Sequence, residues 1–340
     1  MSAINRISRR AIAGAIGTIG LLAGSLFGGS FLGGTSARAQ ANDPAWPTRV
    51  VKFIIPFGAG AGADIGARLV AERLQSKWGK AVIVENRPGG DGLVAIGAFM
   101  GANDDHVLMF ASTGSFTVHP FQYEKLPYDF TRDLLPIARV SNTILAVGVS
   151  KESGITSLKD MVARMKAEPG KFNVALVPGI TELVFDGFAK AEGVTVTKVP
   201  YRDIVQGVAD LTVNRLQMMM ASYAILQPGV QGGGVKALAV TGRDRFVGVP
   251  DLPTAIEAGV PSLEVEGLVG LLGPKTMSAE LRERIGADVV EVTKDPAISA
   301  KLVATGQAVN PGGAKEFEAS IKKQIDQVTA IAKLVGMKTR

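Results

Sequence analysis

The stretch from Val50 to Leu74 constrains the fold of this chain more than any other. An apolar, β-branched run closes at Pro56, and the alternation Gly58-Ala59-Gly60-Ala61-Gly62-Ala63 follows; apolar Ile65, Leu69, Val70 and Leu74 then recur at helical spacing. The reading is strand, glycine loop, helix. Uncovered backbone N–H groups at the positive end of a helix can dock an anion without a basic side chain. Phe57 to Asp64 is therefore expected to form half of a carboxylate-binding site.

The leader decides how the charge of the chain is read. Residues 1–39 hold Arg6, Arg9, Arg10 and Arg38 with no acidic residue, and residues 11–34 are almost entirely apolar or Gly. This reads as an export signal with a small-residue cleavage site at Ala37-Arg38-Ala39. Arg9-Arg10 suggests the twin-arginine route, with the general secretory route left open. The apolar segment is also about long enough to span a bilayer, but its many glycines and small-residue exit site favour removal. Removal would lower the formal charge from +6 to +2. The basic balance thus belongs mostly to the leader, and leaves no argument for nucleic acid or anionic lipid as a partner. With no cysteine, the chain can offer neither a thiolate metal site nor a Cys nucleophile. About 300 residues remain, enough for two lobes with separate cores.

Beyond the first helix, Ala81 to Glu85 and Val107 to Phe110 read as strands, and a small-residue helix runs to Met100. Strands alternating with helices imply an α/β fold with a mostly parallel sheet, whose carboxyl edge gathers the loops. Ile137 to Val149 reads as one strand leaving the first lobe. A second βα series spans Lys171 to Thr241, a β-rich segment from Leu263 to Gly273 returns, and helices near Ser278 and Ala314 close the chain. The expected organisation is residues 45–143 with 262–340 as one lobe and 144–261 as the other, joined by two crossings around a hinged cleft.

Gly58 to Ala63 also satisfies the dinucleotide pattern G-x-G-x-x-A, with Glu85 near the distance of a ribose ligand. An exported nucleotide-dependent oxidoreductase is thus the alternative function. Against it, Asp64 would face a pyrophosphate with its own negative charge, and Glu85 runs directly into Asn86-Arg87-Pro88-Gly89-Gly90. Asp64 is expected to cap the first helix, with loop ordering or ligand contact as other roles. Ser112, Thr113 and Ser115 follow a strand end and can donate hydroxyls to a carboxylate. His106 and His119, the two histidines, are read as solvated loop residues. Met218-Met219-Met220 reads as core rather than a metal site. No nucleophile elbow and no acid–base–nucleophile set is present, so no enzyme chemistry and no cofactor is expected.

Seven collinear motifs carry a family likeness. Trp46-Pro47, Ile55 to Asp64, Glu85 to Gly92, Lys125 to Asp129, Val199 to Arg202, Ala237 to Arg243 and Pro253 to Gly259 together resemble the Bug family, the extracytoplasmic solute receptors of tripartite tricarboxylate transporters. The resemblance implies a two-lobed type II periplasmic binding protein of the Venus-flytrap kind, a monomer that closes on a small organic acid and hands it to membrane permease subunits. It implies carboxylates held by main-chain N–H groups, hydroxyls and water. The first lobe would contribute Phe57, Gly58, Ala59, Gly60, Ala61, Gly62, Ala63, Asp64, Ser112, Thr113 and Ser115. Gly179, Ile180, Thr181, Ala221 and Ser222 would close from the second. Compared with the family, Ala61, Gly62 and Ala63 remove a hydroxyl, Glu182 stands near a usual His, and Met220-Ala221 replaces Phe-Asp. Those differences predict a ligand with an apolar body, aromatic or medium-chain, over citrate or aspartate.

Overall fold

The computed structural model describes residues 46–59, 62–201 and 203–338. The leader, its paired arginines and its cleavage site lie outside the described residues, as do Gly60, Ala61 and Arg202.

The chain opens with β1 (Val51–Ile55), α1 (Gly62–Trp78), β2 (Val82–Asn86), α2 (Leu93–Ala102), β3 (Val107–Ser112), α3 (Gly114–Gln122) and α4 (Phe130–Asp133). It continues through β4 (Leu134–Thr143), β5 (Leu145–Ser150), α5 (Leu158–Ala167), β6 (Asn173–Leu176), α6 (Ile180–Glu192), β7 (Thr197–Lys198) and α7 (Gly207–Thr212). Then come β8 (Met218–Ser222), α8 (Tyr223–Gln231), β9 (Val235–Val240), β10 (Gly267–Pro274), α9 (Ala279–Lys294), α10 (Pro296–Ala304), β11 (Gln307–Gly312) and α11 (Ala314–Val335).

The strands form two sheets, ordered β11-β4-β10-β3-β1-β2 and β7-β6-β8-β5-β9. Both are mixed rather than mostly parallel. β1 pairs parallel with β2 and β3, whereas β10 runs antiparallel to β3 and β4. The direction follows from where the chain enters. β3 and β4 finish at the edge facing the second sheet, and a strand arriving from that sheet must start at the same edge and run the other way. β5 obeys the same logic, antiparallel to β8 and β9.

The expected single strand from Ile137 to Val149 is two strands in different sheets, divided at Ile144. Ile144 is pinned there: its N–H donates to the Gly306 carbonyl and its own carbonyl accepts from Tyr223 N–H. The segment α10–β11 is a further difference, since short apolar stretches broken by Gly306 and Pro311 carry little periodic signal.

Each sheet is covered on both faces by apolar clusters. Met218 and Met220 point into one cluster and Met219 into the other, all fully buried, as period-two alternation demands. One helix serves both halves. α11 places Phe317 and Ile321 against the first sheet, and Val328 and Ala332 in the cluster of the second. α3 likewise sends Val118 and Phe121 into that second cluster. At about 1.5–3 kcal/mol per buried large apolar side chain, these contacts form a strong seam along one side of the junction.

Candidate functional site

The glycine loop is held at both ends by one side chain. Asn86, the last residue of β2, donates through Nδ2 to the Phe57 carbonyl at 3.0 Å and to Asp64 Oδ1 at 3.0 Å. Its Oδ1 accepts from Arg68 Nη2 at 2.9 Å, and Arg68 pairs in turn with Asp64 at 3.0 Å. The order β1–loop–α1–β2 makes this possible, because parallel pairing sets Ile55 beside Asn86. Asp64 is almost fully buried and lies on the third residue of α1, inside its first turn. A carboxylate there complements the helix dipole. The sequence motif that contains Asn86 does not signal this role, since the contact spans 29 residues.

Close approach leaves little room for a side chain at Gly62. A Cβ there would sit 3.2 Å from the Thr305 carbonyl oxygen and 3.4 Å from Gln307 Nε2. The same turn reaches the second sheet, because a Cβ at Gly306 would lie 3.1 Å from that of Ala224 in α8. The start of α1 and the start of α8, next to Ser222, thus meet through residues 305–307.

The expected hydroxyl donors divide. Ser112 ends β3, half-buried. Thr113 is fully buried and donates to Gln324 Oε1 at 2.6 Å, while Gln324 Nε2 donates to the Glu266 carbonyl at 3.0 Å. Its hydroxyl ties α3 to α11 and is not offered to a ligand, which corrects the expectation. Ser115 Oγ donates to Asp91 Oδ1 at 2.8 Å.

His119 also departs from expectation. It is fully buried in α3, its Nε2 lies 3.2 Å from Asp91 Oδ2, and its Nδ1 lies 2.7 Å from the Tyr128 hydroxyl. Burial, with the nearby charge of Asp91, pushes the Tyr128 phenol well above its ordinary value. His106 is buried as well, 2.6 Å from Asp105 and accepting from Thr48 N–H at 3.1 Å. Neither histidine is a solvated loop residue. Aromatic neighbours enclose both, Trp46 from 60 residues away for His106 and the nearby Phe116 and Tyr128 for His119.

From the second sheet, Gly179 precedes α6 at φ 93° and ψ −134°, a conformation that only Gly adopts readily. A Cβ on it would lie 3.5 Å from Ser115 Oγ and 4.0 Å from Asp91 Oδ2. Ile180 fills the space left by Gly114, where an added Cβ would come within 2.7 Å of Ile180 Cγ2. Gly114, Ser115, Gly179 and Ile180 are therefore brought together at one seam. Thr181 is buried in the first turn of α6. Ala221 is fully buried in an apolar cluster with Leu211 and Met219, so its side chain belongs to the core and not to a ligand surface. Glu182 is neutralised locally by Lys198 at 2.8 Å.

Helix starts converge here from both sheets. The first N–H groups of each helix have no acceptor within the helix and carry partial positive charge. The arrangement can hold an anion without a guanidinium clamp. Glu85, needed by a nucleotide site, is instead engaged by Arg87, which holds its carboxyl below the usual range with help from Lys52.

Residues 66–337 match the sequence profile of the tripartite tricarboxylate transporter family receptor. The chain is 29% identical over 290 residues to a UPF0065 protein of Bordetella bronchiseptica, an alignment covering 85% of each. A solved structure of R. palustris Rpa4515 with adipate is 25% identical, covers 86% of this chain and 99% of its own, and superposes with a TM-score of 0.76. The periplasmic binding protein BugD is 25% identical, with coverage of 87% and 100% and a TM-score of 0.72. Among the described residues, no helix is long and apolar enough to cross a membrane.

Proposed function

We propose, for a chain that belongs to the tripartite tricarboxylate transporter family receptors, that it captures a small organic carboxylate in the periplasm and presents it to membrane permease subunits. The fold is the two-sheet α/β fold of periplasmic binding proteins, and the family is one of receptors rather than enzymes. That membership displaces the oxidoreductase alternative.

The observation that carries the reading is the meeting of helix starts from both sheets, with Gly114 and Ser115 of α3 against Gly179 and Ile180 beside α6. Residues 45–143 with 262–340 act as one lobe and 144–261 as the other, and the division of the sheets at Ile144 supports this. The Phe57 to Asp64 loop, braced by Asn86, grips the ligand carboxylate through main-chain N–H groups, with Ser112 beside it. Gly179 to Thr181 and Ser222 close from the other side. Closure is a shift between open and closed forms, driven by ligand contacts to both lobes. The leader directs export and is removed, and the mature chain works as a monomer.

The adipate held by the Rpa4515 neighbour supports a carboxylate with an aliphatic body. With Ala221 assigned to the core, that preference rests on the missing hydroxyl at Ala61 to Ala63 and on Ile180 at the seam. Calorimetry of the mature protein against adipate, benzoate, hexanoate and citrate tests it. Binding of an apolar-bodied acid is expected, and binding of citrate alone would refute the preference. A ligand-bound crystal in which the loop amides are filled by the protein's own carbonyls would overturn the grip itself.

A further inference from the structure

Asp91 takes no part in the proposed carboxylate grip, yet it stands at the seam. It occupies a short turn, Gly90–Gly92, with φ 50° and ψ 36°, flanked by Gly89, Gly90 and Gly92, all at positive φ. Left-handed backbone is costly for most residues and tolerated by Asp. The turn is closely packed at Gly92, where an added Cβ would lie 3.0 Å from the Phe116 ring and 3.5 Å from Pro56 Cβ. The turn is thereby fastened to the entry of the glycine loop and to α3.

The carboxylate is aimed by its neighbours. Ser115 Oγ–H donates to Oδ1, and His119 Nε2 approaches Oδ2 at 3.2 Å. The Tyr128 hydroxyl lies 2.7 Å from His119 Nδ1, on the other side of the ring from Asp91, so the imidazole bridges Tyr128 and Asp91. Tyr128, His119 and Ser115 thus form one hydrogen-bonded frame around a single anion. That anion has no Lys or Arg within ion-pair distance among the described residues. Its side chain keeps 30% exposure and faces Gly179 across the seam. Elsewhere the acidic side chains near the site are paired: Asp64 with Arg68, Glu85 with Arg87, Glu182 with Lys198.

A framed carboxylate without a Lys or Arg partner, next to a site for anions, is a selector. We propose that Asp91 makes this cleft prefer a carboxylate that also carries an ammonium group over a dicarboxylate of the same length. The ammonium completes the hydrogen bonding of Asp91 and cancels its charge, whereas a second ligand carboxylate at that point meets like charge. Ser115, its proton directed to Asp91, is a positioning residue for the acid and not a donor to the ligand. The inference deepens the carboxylate-receptor reading and rests on it.

Calorimetry with hexanoate, adipate, 6-aminohexanoate and 2-aminohexanoate tests it on the mature protein and on Asp91→Asn and Asp91→Gly, both compatible with the left-handed turn. The tighter of the two amino acids should bind wild type at least about tenfold more strongly than adipate does. Both variants should lose that advantage while hexanoate affinity stays within about threefold and ligand-free melting shows a folded protein. Adipate binding wild type as tightly as either amino acid, or an unchanged ratio in both variants, overturns the role of Asp91. Absence of binding by all four acids overturns the carboxylate-receptor reading itself, and this inference with it.

Discussion

Replacing Asn86 by Ala should loosen the glycine loop while leaving every residue proposed to contact the ligand unsubstituted. The side chain makes three hydrogen bonds, to the Phe57 carbonyl, to Asp64 Oδ1 and from Arg68 Nη2. Each is worth about 0.5–1.5 kcal/mol net. The Arg68 side chain is half exposed and recovers its bond from water, so its share is small. The two donations to the loop ends dominate, and the expected loss of stability is about 2 kcal/mol. Binding should suffer separately. Ordering two loop residues on ligand capture costs roughly 1–2 kcal/mol each, which weakens affinity by about thirtyfold to several hundredfold or more. Asn86→Asp sharpens the test: it keeps the acceptor for Arg68, cannot donate to Phe57, and sets a second carboxylate against Asp64. It should be at least as unstable as the Ala variant. Urea unfolding gives the stability and calorimetry with the tightest-binding carboxylate gives the affinity. If Asn86→Ala matches wild type in both, the loop is not braced by this residue and the reasoning fails.

Thr113→Val should lower stability by about 1–2 kcal/mol, because Gln324 loses its buried partner, while calorimetry finds ligand affinity within about twofold of wild type. Gly114→Ala should weaken binding by prising the seam at Ile180. Adding Ile180→Ala should restore part of the affinity, and simple additivity in that double-mutant cycle would refute the contact. Asp133 is held well below the usual carboxylate range, first by Arg132 and then by the Asp129 N–H and Lys275, against the opposing effect of burial. Its folded value lies below its unfolded value of about 3.9, so its contribution is complete above that pH and is lost as pH falls towards the folded value. Asp133→Asn should therefore cost stability at pH 7 and flatten the acid limb of a melting profile taken below about pH 4; an unchanged limb counts against the pairing.

Much of the architecture was legible because it is written locally. β1, the loop and α1 follow from a β-branched run, a Gly/Ala alternation and a helical spacing of apolar residues, and these signals need no partner to be read. Amphipathic α9 and α11, the alternation of Met218 to Met220 and the seven motifs are local in the same way. Strand direction is not. β10 looks like any apolar strand, and it runs antiparallel because the chain returns to the first sheet at the edge it left. The break at Ile144 was hidden inside a continuous apolar run, since the change of sheet depends on bonds to Gly306 and Tyr223.

The site divides along the same line. Sequence alone determined the helix starts and glycines that can present bare N–H groups, because backbone conformation there follows from residue type. Only the tertiary structure decided which side chains reach that space: it withdrew Thr113 and Ala221 into the interior, buried His119, and brought Asn86 and Asp91 to the loop and the seam. Those assignments depend on contacts between residues far apart in the chain, and distance along a sequence carries no record of distance in space.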